Sequence, residues 1–347
     1  MVTVAGRAIG PGEPCFVIAE AGVNHNGELD LARRLVEAAA DAGADAVKFQ
    51  TFRADGVASG EAPKAGYQLA TTDRAESQLE MLRRLELDAT AHGELKRLAE
   101  ERGLVFLSTP FDASSVELLD GLGVDAFKVA SPDLVNYLLL DDLARRGRPV
   151  ILSTGLADLA EVKAAVARLR NGGCDDIVLL HCVSEYPAPP ADANLRAMAT
   201  MRDELGLPVG YSDHSEGDAV ALAAVALGAS ALEKHFTLDR SLPGPDHAAS
   251  LEPAELKRLV AAVRAVEESL GDGVKAPAES ERANTATIRR SLAAAGDLPA
   301  GATLTRETLV ALRPATGISP ARLDEVVGRR LRRDLARGEL IDSADLE

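Results

Sequence analysis

Between residue 16 and about residue 270, short β-branched or apolar segments alternate with longer Ala-, Leu-, Arg- and Glu-rich stretches of helical periodicity. The predicted strands span residues 16–22, 46–52, 105–111, 126–131, 149–155, 177–183, 208–214 and 231–237. Eight strand–helix units over roughly 250 residues match the size and composition of a (β/α)8 TIM barrel. An open doubly wound sheet is the alternative, but EAGVNHNG, after the first strand, lacks the glycine spacing of a dinucleotide-binding turn. The sequence therefore predicts an α/β protein built on a TIM barrel.

The character of the chain changes after the last helical stretch of this pattern. GDGVKAPAESE, residues 271–281, is rich in glycine, proline and charge, and it is typical of a linker. Beyond it, DLPAGATLTRETL (297–309) and DLARGELIDSADL (334–346) share Asp, Leu, Gly and a final Leu at identical offsets. We predict a barrel domain at 1–270, a linker at 271–284, and a small pseudo-symmetric α+β domain at 285–347.

The composition excludes several classes of function. A formal net charge of −16 argues against nucleic-acid binding, because backbone phosphates would be repelled. The first residues, MVTVAGRAIGPGEP, have neither the basic nor the apolar region of a signal peptide, and no apolar run reaches the ~20 residues of a membrane span. Cys15, Cys174 and Cys182 are too few and too scattered for a disulfide framework. We expect a cytoplasmic protein that binds neither nucleic acid nor membrane.

Polar residues concentrate where the predicted strands end, which in a TIM barrel is the active-site face. Alternate residues of a strand share a face, so Lys48 points with Gln50, and Glu233 points with His235. Further polar residues at strand ends are Glu20, Thr109, Lys128, Ser131, Thr154, His181, Ser184 and Ser212. A single strand can end in polar residues because it emerges into water, but eight such ends in register predict an active site.

Two of the six histidines, His214 and His235, end the seventh and eighth predicted strands, so their imidazoles are expected to meet over the barrel mouth. Two imidazoles with water or carboxylate suit Mn²⁺, Fe²⁺, Co²⁺ or Zn²⁺, and oxygen donors from a substrate favour Mn²⁺. Such a metal would polarise a carbonyl group. A lone histidine more often fills a core role, but the matched pair predicts a metal site. We expect His92 on a helix surface, and His25 and His247 in loops, either supporting the site or exposed.

Lys48 and Lys128 are predicted on the second and fourth strands, where a buried ammonium group needs an anionic partner. Hydroxyl groups around the same mouth complete a cradle for phosphate or carboxylate, and they belong to Thr109, Ser131, Ser184 and Ser212. Ion pairs of the lysines with Glu20 or Glu233 are the structural alternative, and Schiff-base chemistry is a further one. A metal that holds a carbonyl group beside an anion cradle indicates the joining of a phosphorylated nucleophile to an aldehyde.

The motifs as a set resemble the bacterial sialic acid synthase family, whose members include N-acetylneuraminate and N,N'-diacetyllegionaminate synthases. The resemblance covers nearly the whole chain. It rests on FVIAEAGVNHNG, AVKFQTF, FLSTPFD, KVAS, ILSTG, LLHCVSEYP, GYSDHS, EKHFTLD and GPDHAAS, in this order. The tail, with RRSLAA, LTRETLVALRPATGISP and ELIDSADLE, is similar to that family's antifreeze-like (SAF) domain.

The resemblance implies condensation of phosphoenolpyruvate with an open-chain N-acetylated hexosamine, with release of phosphate by C–O cleavage. It implies that His214 and His235 bind a divalent metal, Mn²⁺ with Mg²⁺ or Co²⁺ as alternatives. The implied phosphoenolpyruvate ligands are Lys48, Thr109, Lys128, Ser131 and Ser212. The implied sugar ligands are Gln50, Tyr186, Asp246 and Arg313. Glu20, Lys48 and Lys128 are the implied catalytic residues, with Glu20 in proton transfer or water activation. Arg313 would act in the partner subunit, which implies a domain-swapped homodimer.

Three positions depart from the neuraminate synthase pattern, and all three concern the substrate pocket. Ser184 replaces an amide after LHC and could still reach phosphoenolpyruvate through water. Asp133, in SPD, stands where a longer carboxylate would contact the sugar, and Asp73 lies near an expected sugar-binding asparagine. The identity of the acceptor sugar stays open on these grounds, whereas the reaction class does not.

Two other functions compete with the synthase. A barrel aldolase would use Lys48 or Lys128 as a Schiff base with pyruvate and would need no metal. A non-catalytic carbohydrate-binding or ice-binding protein built around the SAF domain would be expected to have lost at least one residue of the barrel mouth. Since Glu20, both lysines and both strand-end histidines are present, this reading ranks last.

Overall fold

A computed structural model describes residues 1–73 and 75–347 and divides the chain into two compact units, Met1–Gly271 and Asp272–Glu347. Eight parallel strands of the first unit form one sheet. The strands are β3 (Phe16–Gly22), β4 (Ala46–Thr51), β5 (Val105–Pro110), β6 (Phe127–Val129), β7 (Val150–Ser153), β8 (Ile177–Cys182), β9 (Val209–Asp213) and β10 (Ala231–His235). All eight lie within the predicted segments, which confirms the strand assignment.

The sheet closes into a barrel, because β3 and β10, its first and last strands in the sequence, are neighbours. Its order is β5-β4-β3-β10-β9-β8-β7-β6, so β3 pairs with β10, and Glu20 stands opposite His235. The outer strands β5 and β6 also lie side by side. Together with the surrounding helices this is the predicted TIM barrel, and the carboxyl ends of all strands meet at one mouth.

The barrel interior changes from apolar to polar along the strands. Its lower layers hold apolar side chains such as Ile18, Leu107 and Ile151. One step further towards the carboxyl ends, the inward positions hold Glu20 and Lys48 instead. The intervening residues point outwards and pack under the helices, because strand side chains alternate between faces. The period-two pattern therefore places the charged inward residues Glu20 and Lys48 at the barrel mouth.

An N-terminal hairpin, β1 (Val2–Val4) with β2 (Arg7–Ile9), was not predicted from the sequence. Val2, Val4 and Ile9 are buried together with the lower barrel layers. The hairpin thus covers the amino-terminal end of the barrel and leaves the mouth as its accessible end.

Helices of the first unit lie between and after the strands. They are α1 (Leu29–Ala42), α2 (Ala54–Val57), α3 (Gly66–Thr71), α4 (Gln78–Leu85), α5 (Ala89–Glu101), α6 (Ala113–Leu122), α7 (Tyr137–Ala144), α8 (Leu159–Asn171), α9 (Ala197–Leu205), α10 (Ala219–Ala226) and α11 (Pro253–Leu270). The connection after β4, the second barrel strand, contains α2, α3 and α4 before α5 begins. None of the helices in the described part of the chain is long and apolar enough to cross a membrane.

Capping residues set where these helices begin. The side chains of Asp88, Asp112 and Asp158 accept hydrogen bonds from backbone N–H groups in the first turns of α5, α6 and α8. α1 ends at Gly43, whose φ of 80° is left-handed and suits glycine. The caps at Asp112 and Asp158 thus let α6 and α8 begin shortly after β5 and β7.

The second unit contains the helices α12 (Glu279–Ile288) and α13 (Leu323–Val326) and the antiparallel strands β11 (Ser291–Ala294) and β12 (Leu309–Leu312). The segment predicted as a linker therefore includes the first half of α12. The two repeats pair symmetrically through Leu298 and Leu335, which exchange backbone hydrogen bonds of 2.9 and 2.8 Å. Asp297 accepts from the backbone N–H of Arg337, and Asp334 accepts equivalently from Ala300. The predicted internal pseudo-symmetry is a property of the structure.

Candidate active site

A cavity of about 560 Å³ opens at the carboxyl ends of the barrel strands. Its polar lining includes thirteen of the predicted site residues, which are Glu20, Lys48, Gln50, Thr109, Lys128, Ser131, Asp133, Ser184, Tyr186, Ser212, His214, His235 and Asp246. Lys48 and Lys128 are the only lysine or arginine side chains among the described lining residues. In a chain of net charge −16, these two ammonium groups are the local attraction for an anion.

Lys48 stands on β4 between two carboxylates. Its Nζ lies 2.7 Å from Glu20 Oε2 and 3.8 Å from Glu233 Oε2, and it donates a 3.2 Å hydrogen bond to Thr109 Oγ1. Burial would lower the pKa of Lys48, but Glu20 and Glu233 outweigh it and raise the pKa. The ammonium group therefore stays charged.

Burial raises the pKa of Glu20 to about 7. The charge of Lys48 opposes this shift, and the charge of Glu233 adds to it. Gln50 Nε2 donates to the other carboxylate oxygen of Glu20 over 3.3 Å. A carboxyl group of this pKa can accept and release a proton near neutral pH, which is the property required of a general base or acid.

Glu233 on β10 joins the two lysines. Its Oε1 lies 3.9 Å from Lys128 Nζ and accepts a 3.0 Å hydrogen bond from Ser212 Oγ. Burial would raise the pKa of Glu233, but Lys128 and Lys48 outweigh it and lower the pKa. Lys128 Nζ donates to Ser153 Oγ over 2.6 Å. The structural alternative of lysine–glutamate ion pairs is thus present, in a cluster that also faces the cavity.

Beside Lys128, small polar side chains converge on Gly155. Ser131 Oγ accepts a 3.0 Å hydrogen bond from the Gly155 N–H and lies 3.0 Å from Cys182 Sγ. A Cβ atom at Gly155 would stand 2.4 Å from Ser184 Oγ and 2.9 Å from Ser131 Oγ. Only glycine therefore fits here, and the hydroxyl groups of two strand ends are brought together next to an ammonium group.

The imidazoles of His214 and His235 meet as predicted, with ring centroids 5.4 Å apart. Tyr186 stacks on His214 at 4.2 Å and contacts His235 edge-on at 5.6 Å. His214 Nδ1 donates a 2.6 Å hydrogen bond to the carbonyl oxygen of Val183, so Nε2 carries the lone pair and lies 3.4 Å from Ser212 Oγ. Burial lowers the pKa of both histidines, and His214 contributes to the shift at His235. Both rings are therefore neutral, as metal ligands must be.

These residues fit a divalent cation. His235 Nδ1 is buried without a hydrogen-bond partner among the described residues, and the nearest carboxylate oxygen, Asp246 Oδ2, is 3.9 Å away. Within residues 1–73 and 75–347, no group of three or more His, Cys, Asp and Glu side chains has the arrangement of a metal site. The two imidazoles would therefore share a cation with oxygen ligands from water and substrate.

A second buried ion pair lies behind the histidines, on the outward faces of β9 and β10. Lys234 Nζ donates to Asp213 Oδ2 over 2.7 Å and to the carbonyl oxygen of Ser215 over 2.5 Å. Asp213 Oδ1 accepts from both the N–H and the hydroxyl of Ser215. The pair therefore fixes the turn that carries His214, and sequence reasoning missed it because its residues point away from the mouth.

Two predicted site residues, Asp73 and Arg313, are not among the described residues that line the cavity. Asp73 lines a separate surface depression with Glu76 and Arg84 and is not among the described residues that line the cavity. Arg313 is an exposed residue of the second unit. Their predicted roles in sugar binding stay predictions.

Three expectations for individual side chains were wrong. His92 is buried, because it shares the inner face of α5 with Leu95 and Ala99, and it hydrogen-bonds Thr51. The hydroxyl of Thr154 donates to the carbonyl oxygen of Leu180, and His181 Nε2 lies 2.8 Å from that of Ala193, so neither lines the cavity. Ser153 takes the inward place that was expected of its neighbour Thr154. Counting in steps of two from an apolar inward residue, Ile151, would have identified it.

Chemically, the cavity can bind an anion at its lysines and hydroxyls, hold a carbonyl oxygen near the imidazoles, and move a proton at Glu20. The residues for all three line one cavity.

Comparison with known proteins matches both units. Residues 35–275 match the NeuB family, and residues 289–347 match the SAF domain. The chain is 48% identical to N,N'-diacetyllegionaminic acid synthase of Campylobacter jejuni, over 94% of this chain and 98% of that protein. It is also 48% identical to the enzyme of the same name from Legionella pneumophila, over 93% of this chain and 92% of that protein.

A solved structure shares the fold. The N-acetylneuraminic acid synthetase of Leptospira borgpetersenii, crystallised in complex with citrate, superposes with a TM-score of 0.73 at 38% identity. The superposition covers 82% of this chain and 94% of that one.

Proposed function

The chain belongs to the NeuB family, and we propose that it joins phosphoenolpyruvate to the aldehyde of an open-chain N-acetylated mannosamine-type sugar. The products are a nine-carbon 2-keto acid, a nonulosonate, and phosphate. The observation that carries the proposal is a buried pair of lysines in the same cavity as a pair of neutral histidines. The relatives named as synthases support the same reaction class.

Lys48 and Lys128 would hold phosphoenolpyruvate. Thr109, Ser131 and Ser212 lie beside these lysines or the carboxylate they share, and their hydroxyls can donate to phosphate or carboxylate oxygens. Ser184 lines the same recess at Gly155. Because the donors are held in place before the reaction, they stabilise the charge of the departing phosphate without reorganising.

His214 and His235 would hold the divalent metal, for which Mn²⁺ is our proposal. When bound, the metal supplies Lewis-acid polarisation of the acceptor carbonyl group. The stacked ring of Tyr186 fixes the orientation of His214, and the carbonyl oxygen of Val183 fixes its tautomer.

In the reaction, C3 of phosphoenolpyruvate forms a bond to C1 of the sugar. Water then adds to C2, and the C2–O bond to phosphate breaks as the keto group forms. Glu20, with a pKa raised to about 7 by burial, would take the proton of that water. Gln50, Asp133, Tyr186 and Asp246 line the remaining polar part of the cavity and would contact the sugar.

The acceptor we propose is 2,4-diacetamido-2,4,6-trideoxymannose. The two relatives at 48% identity are named for N,N'-diacetyllegionaminic acid, a nonulosonate with two acetamido groups. An acceptor that already carries both groups gives that product in one condensation.

The domain-swapped homodimer stays a prediction of the sequence, as does the cytoplasmic location. Mixing Lys48→Met with Arg313→Ala chains tests the swap. If Arg313 of one chain completes the sugar site of the other, the mixture regains sites with both native residues. Mixing would restore nothing if each chain used its own Arg313.

The test of the function is phosphate release from phosphoenolpyruvate, measured with Mn²⁺ or with EDTA. The sugars 2,4-diacetamido-2,4,6-trideoxymannose and N-acetylmannosamine are offered separately. We expect release that depends on both Mn²⁺ and the first sugar. Absence of phosphate release, together with EDTA-resistant borohydride trapping of a lysine adduct with pyruvate, would replace the synthase with the aldolase.

A further inference from the structure

One side of the cavity is apolar, although its floor is charged. Six side chains make up what is called here the apolar wall, namely Val23, Phe52, Met81, Leu82, Leu85 and Phe111. They also pack on one another as a cluster separate from the barrel core. A ligand that fills the cavity must therefore present an anionic or polar end to the floor and an apolar part to the wall.

The apolar wall is a built surface and not an accidental exposure. Met81 is only 1% exposed and Phe52 only 5%, although both line the cavity. The rings of Phe52 and Phe111 meet edge to face at 6.2 Å. Helix α4 presents Met81 and Leu85 one turn apart on the face towards the cavity.

The ends of α4 are tied to the surrounding chain, which fixes the wall. Ser77 Oγ accepts from the Glu80 N–H, and Glu80 Oε2 accepts from the Ser77 N–H, so the helix begins with a reciprocal cap. Arg83, on the solvent side of the same helix, pairs with Asp55 of α2 over 2.7 Å. These contacts hold the first turn of α4 and link its outer face to α2.

A polar or charged group on a sugar would find no cationic partner at the wall. Among the described lining residues, Lys48 and Lys128 carry the only ammonium or guanidinium groups, and both face Glu233 on the floor. Gln68 and Gln78 also line the cavity but lie outside the wall cluster, so a hydroxyl or phosphate packed on the six apolar side chains would lose its hydration without a replacement hydrogen bond from them, which is unfavourable. A methyl group there would gain from burial.

We infer that the apolar wall receives the C6 methyl group of a 6-deoxy acceptor and selects against acceptors that carry a C6 hydroxyl or phosphate. This inference rests on the proposed function, because it concerns the acceptor of that same reaction. A hydrophobic pocket disfavours an added hydroxyl by roughly 10- to 100-fold. Met81 is the specificity-determining residue on which the inference is tested, because it lines the cavity and packs on the other members of the wall.

The test compares two acceptors that differ only at C6, 2,4-diacetamido-2,4,6-trideoxymannose and 2,4-diacetamido-2,4-dideoxymannose. For the native protein we expect kcat/KM to favour the 6-deoxy sugar by about 10- to 100-fold. Met81→Gln should reduce that ratio by about tenfold, because its amide can pair with the added hydroxyl. Met81→Leu should keep the ratio, and so should Arg83→Gln on the outer face of α4.

Leu82→Gln repeats the test at a less buried wall position in case Met81→Gln does not fold. A loss of fold lowers kcat/KM for both sugars and leaves their ratio unchanged, so the ratio reports selectivity alone. Equal kcat/KM values for the two sugars in the native protein would overturn the inference and leave the synthase function standing. If Met81→Gln and Leu82→Gln both fold and both keep the native ratio of kcat/KM values, the inference is likewise overturned and the synthase function stands. Absence of phosphate release with either sugar would overturn the proposed function itself.

Discussion

The Nζ of Lys48 lies 2.7 Å from Oε2 of Glu20, and both side chains are almost completely buried. The two residues lie on the neighbouring strands β3 and β4, whose register sets Glu20 opposite Lys48. In the same register on the other side, Glu20 stands opposite His235. A cation, a proposed proton acceptor and a proposed metal ligand are thus placed on three adjacent strands by backbone pairing.

Replacing Lys48 by Met should remove the charge that holds phosphoenolpyruvate and should leave Glu20 without its partner. We expect kcat/KM for phosphoenolpyruvate to fall by at least about 10²- to 10³-fold, as for the loss of a preorganised donor. The rate of phosphate release measures this fall in kcat/KM. Lys163→Met is the control, because Lys163 is a surface lysine that pairs with Glu204. A Lys48→Met enzyme within about threefold of the native kcat/KM would refute the assigned role.

The pH dependence of kcat/KM should report Glu20. The charged groups that face it are Lys48 from β4 and Glu233 from β10, and burial raises its pKa to about 7. The carboxylate form is gained as pH rises through that value, so a base role predicts kcat/KM that increases between about pH 6 and pH 8. Glu20→Gln should abolish this rise and most of the activity. A rise centred near the ordinary glutamate pKa would assign the base to another group.

Metal binding should depend on the paired histidines and not on histidine content in general. His214→Asn and His235→Asn should each lose Mn²⁺ binding, measured by the disappearance of the free-ion electron paramagnetic resonance signal on titration with protein. His181→Gln is the matched control, because His181 lies on the neighbouring strand but does not line the cavity. Native-like Mn²⁺ binding by either histidine variant would place the metal elsewhere.

The ion pair behind the site should matter for stability. Asp213 and Lys234 are at most 1% exposed, so Lys234→Met leaves a buried carboxylate unpaired. Breaking such a pair costs roughly 3–5 kcal/mol of unfolding free energy. Lys163→Met, which breaks a half-exposed pair, should cost less than about 1 kcal/mol. Urea unfolding of both variants compares the two costs, and equal values would show that the buried pair contributes no more than a surface one.

Much of this architecture follows from sequence periodicity. The eight barrel strands carry apolar runs bounded by helical stretches, and the inward places of Lys48, Ser212 and Glu233 follow from alternation along each strand. The meeting of His214 and His235 follows in turn, because consecutive strands of a barrel are neighbours.

Other features depend on contacts that periodicity does not encode. The N-terminal hairpin has strands of three residues, too short for a recognisable pattern. Which carboxylate pairs with Lys48 is decided by strand register, so Glu20 and Glu233 remained alternatives and both proved to be neighbours. Half of the apolar wall, namely Met81, Leu82 and Leu85, comes from α4, which lies in the connection between β4 and α5 and outside the barrel repeat.

The most direct test of the central claim follows the oxygen that bridges C2 and phosphorus in phosphoenolpyruvate. Phosphoenolpyruvate with ¹⁸O at that position is incubated with the protein, Mn²⁺ and 2,4-diacetamido-2,4,6-trideoxymannose. The masses of both products are then measured by mass spectrometry. Our account predicts that the label leaves entirely with phosphate and that the nine-carbon product takes its keto oxygen from water. Label retained in the 2-keto acid, or phosphate formed without a nine-carbon product, would contradict it.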